Sequence, residues 1–246
     1  KEQLYQKFEL RSDLPVVLLV GGGDGAGGLR TAVQAISAAR LPVQLIVVTG
    51  RNRRLYALLQ STRSKLHVPA KIFGFVNNMP ELMHAADVII TKAGPGTICE
   101  ALACNLPIIL SGFVPGQEEG NVEYIVKNKA GFLALDPESL IDTLRRLIKP
   151  GSPEMRQCVE NARRISQPMA AFDIARYLLD CMKAGSARES WQSAHWQLRK
   201  RMLSGRLQSS FRLHRLQPRF PKPLLKSPLK NRPLLPGMRK SDRQSG

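Results

Sequence analysis

The sequence predicts a doubly wound α/β domain on a parallel sheet, Rossmann-like in its repeat. Two observations carry the prediction. Its apolar runs of Val, Ile and Leu are continuous rather than alternating, as in strands buried on both faces. Between them a longer helical pattern returns, joined by short loops, which implies right-handed crossovers within one sheet. Val16–Val20 (VVLLV) gives the first strand, followed by a glycine loop at residues 21–28 and a helix to about Arg40. Residues 43–49 (VQLIVVT) give the second, with a basic helix from about Arg53. A short third strand falls at residues 71–73 and a helix at about 81–86 leads into the fourth, residues 87–91 (DVIIT). The loop at 92–96 opens a helix to about Cys104, and residues 107–111 give the fifth strand. A helix near 121–129, a short strand at 131–134 and helices to about Lys183 complete the domain.

Composition divides the chain into three parts. Residues 1–13 are polar and read as a linker, and residues 14–183 form the α/β domain, with 1–183 together at a net charge of +5. Residues 184–246 hold 15 Lys and Arg against 2 Asp and Glu, a net of +13, with six of the 17 prolines and no strand-like run. This tail is expected to be mostly disordered and suited to an anionic membrane surface. A nucleic-acid partner is disfavoured because no recognised RNA or DNA module accompanies the charge. The four cysteines, Cys99, Cys104, Cys158 and Cys181, have no CxxC spacing and no histidine cluster beside them, so neither a zinc site nor a disulfide framework is suggested. The opening residues do not read as a charged-then-apolar signal peptide, and no apolar run approaches the ~20 residues needed to cross a bilayer. A cytoplasmic protein peripheral to the membrane is the expectation.

Three loops follow strands, where parallel sheets bind their ligands. In the first, six of the eight residues 21–28 are glycine. Such a loop lets a diphosphate approach the backbone at a helix start, and Gly22, Gly23 and Gly25 are the candidate contacts. It also contains GxGxxG, which raises a dinucleotide site. That site wants an acid closing the second strand, where Thr49-Gly50-Arg51-Asn52 stands. Arg51 could meet a 2′-phosphate, so the alternative is weakened but open.

The second loop, in T-K-A-G-P-G-T-I-C-E (residues 91–100), offers N–H groups at Gly96 and Thr97 to another anion. Glu100, one turn on, is placed to accept ribose hydroxyls. Thr97 and Glu100 also have the spacing of a capping box, which would make them local helix furniture. In the third loop, residues 112–121, Gln117 and Glu118 could bond sugar hydroxyls or be ordinary solvated side chains. No DxD-like metal motif accompanies the loops, so no metal or cofactor is expected. Helix starts, with Lys92 as an optional cation, would carry the diphosphate charge.

The segments G-G-G-x-G, G-R-N, G-F-V-x-x-M, T-K-A-G-P-G-T-x-x-E-A and P-I-I-L-x-G-x-x-x-G-Q-E-x-G-N-V occur in this order. That series resembles the monogalactosyldiacylglycerol synthases and, more distantly, the glycosyltransferase that completes the lipid-linked peptidoglycan precursor. The resemblance spans about residues 14–183. It implies the C-terminal lobe of a two-lobed GT-B glycosyltransferase transferring a hexose from a UDP-sugar, a substrate rather than a cofactor, to a lipid acceptor such as diacylglycerol. It implies that the glycine loop with Gly96 and Thr97 holds the diphosphate, Phe75 and Val76 the uracil, Glu100 the ribose, and Gln117 and Glu118 the hexose. Without it, Phe75 and Val76 read equally well as a strand-end core pair. The resemblance places the acceptor groove and general base in an N-terminal lobe, supplied in cis or in trans. In the second case this chain is a donor-binding subunit of a split enzyme.

Overall fold

The sheet has six parallel strands in the order β3-β2-β1-β4-β5-β6. They are β1 (Val16–Val20), β2 (Gln44–Val48), β3 (Ala70–Phe73), β4 (Val88–Lys92), β5 (Ile108–Gly112) and β6 (Gly131–Leu133). The computed structural model describes residues 1–21 and 28–183. The Gly22–Gly27 part of the glycine loop and the whole basic tail, with the expectations placed on them, lie outside the described residues.

The continuous apolar runs are explained by burial on both sheet faces. Successive strand side chains point to opposite faces, so Val16, Leu18 and Val20 enter one core while Val17 and Leu19 enter the other. The second core receives α2 (Leu29–Ala38), α3 (Arg53–Thr62) and α7 (Pro137–Ile148), through residues such as Val33, Leu59 and Leu144. The first receives α4 (Met79–Ala85), α5 (Pro95–Ala103), α6 (Glu119–Lys127) and α8 (Pro153–Ile165), through Leu82, Ile98, Ile125 and Ala162. Each fully buried Leu or Ile stabilises this arrangement by about 1.5–3 kcal/mol against exposure.

Every strand stands within a residue or so of where the sequence puts it, and the offsets have local causes. β4 begins at Val88 and not at Asp87 because the Asp87 carboxylate turns aside, accepting the Val16 N–H at 2.8 Å and pairing with Lys1. Helices α4 and α6 each start two residues earlier than expected.

The opening segment corrects the linker expectation. Residues 2–7 form α1 (Glu2–Lys7), and Phe8 is 9% exposed, its ring 6.3 Å edge-on from that of Phe73. Leu4, Tyr5 and Leu10 pack beside it. The chain between this helix and β1 is held by the buried Gln44 side chain, which accepts from the Arg11 N–H and donates to the carbonyls of Arg11 and Leu14. The polar residues of the segment face water while four apolar ones face in. Residues 1–180 form one compact unit. The last described helix, α9 (Ala170–Lys183), leaves Phe172, Ile174, Leu178 and Leu179 exposed.

Candidate functional site

The strand order reverses between β1 and β4. From β1 the chain proceeds to β2 on one side, and from β4 to β5 on the other. The two loops leaving their carboxyl ends therefore diverge and open a crevice, the usual ligand position in such sheets. Val20 and Thr91 pair at its base. Thr91 is 1% exposed and its Oγ1 has no hydrogen-bond partner among the described residues. An orphaned hydroxyl beneath the crevice is a polar group left for something else to satisfy. It stood in the sequence motif but drew no assignment there.

From β1 the chain reaches α2 through Gly28, whose φ of +71° is left-handed backbone that a glycine adopts at little cost. The predicted contacts Gly22, Gly23 and Gly25 lie in the part of this loop outside the described residues. From β4 the chain enters α5 at Gly94, which is extended and makes no side-chain cap, and Pro95 takes the first helical position. Proline fits there because it lacks an N–H that the helix could not use. Gly96 and Thr97 thus bear the free N–H groups of the first turn, since the next, on Ile98, already bonds to the Gly94 carbonyl. The capping-box reading is corrected by this geometry. Thr97 is the third helical residue, not the cap, so its hydroxyl does not close the helix start. Glu100 lies one turn further on, exposed and in no ion pair among the described residues.

The third loop is tied to the second. Lys92 Nζ donates to Glu118 Oε1 at 2.8 Å, and the Val114 N–H donates to Glu118 Oε2 at 2.9 Å. Asn121, in the first turn of α6, donates from Nδ2 to the Ala93 carbonyl at 2.8 Å, and the Ala93 N–H donates to the Gly112 carbonyl at 2.8 Å. Glu118 is 4% exposed, and Lys92 followed by the Val114 amide holds its carboxyl below the usual carboxylate range. Of the two residues expected on the hexose, Gln117 is exposed and Glu118 is turned inward with both oxygens engaged. Lys92, expected as an optional cation for a diphosphate, is half-buried against that carboxylate. Asn121 was quoted in the motif and given no role; its clamp on the neighbouring loop depends on a contact 28 residues away.

Phe75 and Val76 separate. Val76 packs against the first core, whereas Phe75 is 60% exposed at the carboxyl end of β3. The core-pair reading therefore holds for Val76 alone. Arg51 stacks over the Phe75 ring at 5.4 Å, and with Gly50, Arg53, Tyr56 and Gly74 they line a cavity of about 560 Å³. A second cavity, of about 980 Å³, opens at the amino ends of the strands beside α1 and Asp87. It is remote from all three loops, and the strand ends, not its volume, locate the chemistry.

Residues 16–174 match the glycosyltransferase family 28 C-terminal domain. The chain belongs to this family. Among family members it is 45% identical over 183 residues to the probable monogalactosyldiacylglycerol synthase 2, chloroplastic, of Oryza sativa subsp. japonica, covering 72% of this chain and 39% of the relative. It is 43% identical, with the same coverage, to monogalactosyldiacylglycerol synthase 3, chloroplastic, of Arabidopsis thaliana. The chain thus spans about two fifths of the length of these relatives. MurG of Acinetobacter baumannii aligns with a TM-score of 0.60 at 18% identity, covering 72% of this chain and 53% of that one. A glycosyltransferase from Rickettsia africae aligns at 0.54 and 22%, covering 66% and 45%. These structures share the fold, the Rossmann-like C-terminal domain of GT-B glycosyltransferases. Among the described residues no helix is long and apolar enough to cross a membrane.

Proposed function

We propose that this chain is the donor-binding lobe of a hexosyltransferase that moves a galactosyl group from a UDP-sugar to diacylglycerol. In the reaction a glycerol hydroxyl forms the new bond to the anomeric carbon, the bond from that carbon to the diphosphate breaks, and UDP departs. The hydroxyl proton goes to a base on an acceptor lobe, joined in cis or in trans. The observation that carries this reading is the crevice between β1 and β4, where the free N–H groups of Gly96 and Thr97 and the carboxylate of Glu100 line one helix start. The names of relatives more than 40% identical support the sugar and the lipid.

In this reading Gly22, Gly23 and Gly25 join Gly96 and Thr97 on the diphosphate, whose growing charge the helix starts stabilise. Phe75 offers its exposed ring and Val76 its backbone to the uracil, and Glu100 takes the ribose hydroxyls. Gln117 meets the hexose, while Glu118 and Lys92 hold the loop that presents it. The exposed apolar side chains Phe172, Ile174, Leu178 and Leu179 on α9 are available to the acceptor lobe. The protein would work at a membrane surface.

Calorimetric titration with UDP and NADH tests the reading. Heat is expected with UDP, because the acid suited to a ribose follows β4 and none closes β2. Tight NADH binding with no UDP heat would sink it. Glu100→Ala is expected to weaken UDP by about 1–3 kcal/mol, the scale of hydrogen bonds to a charged group. An unchanged affinity at an unchanged Tm removes Glu100 from the site.

A further inference from the structure

The arginine of the G-R-N segment has a place in the fold that its motif does not disclose. The loops after β2 and β3 are fastened to one another at their base. The buried Thr49 donates from both its N–H and its hydroxyl to the Phe73 carbonyl, at 2.9 and 3.1 Å. Gly50 then turns the chain with a φ of +59°, and Asn52 caps α3 by accepting the Leu55 N–H at 2.9 Å. Further along α3, Gln60 donates to the Ile72 carbonyl at 3.2 Å, which holds the helix against β3. Arg51 therefore stands between a strand end and a capped helix, on backbone with little freedom.

Two side chains rise from this base without joining either core. Phe75 packs in neither cluster, and Arg51 is exposed and in no ion pair among the described residues. Each has the other as its neighbour, the guanidinium lying over the ring at 5.4 Å from its centroid. With one face covered in this way Phe75 is still 60% exposed, so the opposite face is bare. A contact between two solvated side chains contributes little to folding. Its effect is to restrict the ring. An exposed phenylalanine without a neighbour divides itself among about three χ1 wells, and a base stacks only on the fraction that presents the ring. A guanidinium on the far face selects one of those wells, and a ring held so is a stacking platform for a planar base.

We propose that Arg51 is a positioning residue of the donor site, holding the Phe75 ring so that its bare face meets the nucleobase. The proposal rests on the reading of this chain as a nucleotide-sugar-binding lobe. Arg51 acts through the ring and not on the donor. Its planar fork suits an aromatic face in a way that the compact ammonium of a lysine does not.

Calorimetric titration of the full chain with UDP tests this on Arg51→Ala, Arg51→Lys, Phe75→Ala and the double variant Arg51→Ala/Phe75→Ala. Arg51→Ala is expected to weaken UDP about three- to tenfold, with Tm unchanged. Arg51→Lys keeps the charge and loses the plane, and should recover only part of that loss. Once the ring is absent Arg51 has nothing to hold, so the double variant should bind UDP as Phe75→Ala does. A full further loss in the double variant would mean that Arg51 touches the donor itself, and would overturn the proposal. Complete recovery by lysine would overturn it too, since charge alone would then account for the effect. Absent UDP heat in the wild type defeats the donor-site reading and this proposal with it, whereas wild-type heat that Arg51→Ala leaves intact defeats this proposal alone.

Discussion

Gly131→Ala is expected to destabilise the body by about 3 kcal/mol, the upper part of the range for overpacking a close-packed site. Gly131 opens β6 and pairs with Ile108 of β5. A methyl group there would fall on the Ile108 backbone carbonyl and lie 2.9 Å from Ile125 Cγ2 of α6. The obstacle is backbone within the sheet, which cannot rotate away like the end of a flexible side chain. Because Gly131 does not have positive φ, the glycine is required for space and not for conformation. Thermal unfolding should show Tm lowered by roughly 6–12 °C. Gly120→Ala is the matched control: it lies in α6 with nothing near its missing side chain and should be neutral or slightly stabilising. A Gly131→Ala protein as stable as the wild type would show that β6 does not approach β5 as described.

Glu118→Ala should cost about 2–3 kcal/mol and weaken UDP binding as well. The substitution leaves the Lys92 ammonium half-buried without its anion and the Val114 N–H without an acceptor. Losing one partner of such a pair costs more than the pair contributes when intact. Glu118→Gln, which retains an acceptor for one donor, should recover part of both losses. The pH dependence has a definite sign. Glu118 has a folded pKa below its unfolded value. Its contribution is therefore complete above the ordinary glutamate pKa of about 4.3 and disappears as pH falls through the lower, folded value. The wild type should lose stability over that acid range relative to Glu118→Ala, whose profile should be flatter. Parallel profiles would show that the carboxylate is not held by Lys92.

The central strands were legible from the chain because both faces of the sheet are covered there, so that they are marked by apolar runs such as VVLLV and LIVV, while the short edge strands AKIF and GFL carry a weaker signal. The N-terminal segment was not read correctly because only four apolar residues, spread over Leu4, Tyr5, Phe8 and Leu10, decide its packing. Their spacing is helical, but their partners, Phe73 and the core beneath α4, are supplied by the folded body. The site divides along the same line. The place of Gly96, Thr97 and Glu100 in the first turns of a helix could be read because a strand, a proline and a helix follow one another in sequence. Gln117 and Glu118 could not be told apart. Adjacent residues point in different directions, and which of them faces inward depends on where Lys92 stands, 26 residues earlier. The orphaned hydroxyl of Thr91 is invisible in sequence for the same reason, since a threonine ending a strand ordinarily finds a partner.

If the chain binds the donor as proposed, the bonds between the loops after β4 and β5 have a consequence for the thermodynamics of its capture. Lys92 to Glu118, Asn121 to Ala93 and Ala93 to Gly112 lock two separate chain segments into one piece. The entropy lost in fixing that piece is charged to folding and not to binding. A donor would meet Thr97 and Gln117 already at a set separation, so little of its interaction energy would go into ordering either segment. A ligand long enough to reach from one to the other would gain more than the sum of two fragments that each touch one end. Joining the fragments brings the second contact at no further loss of freedom in the protein.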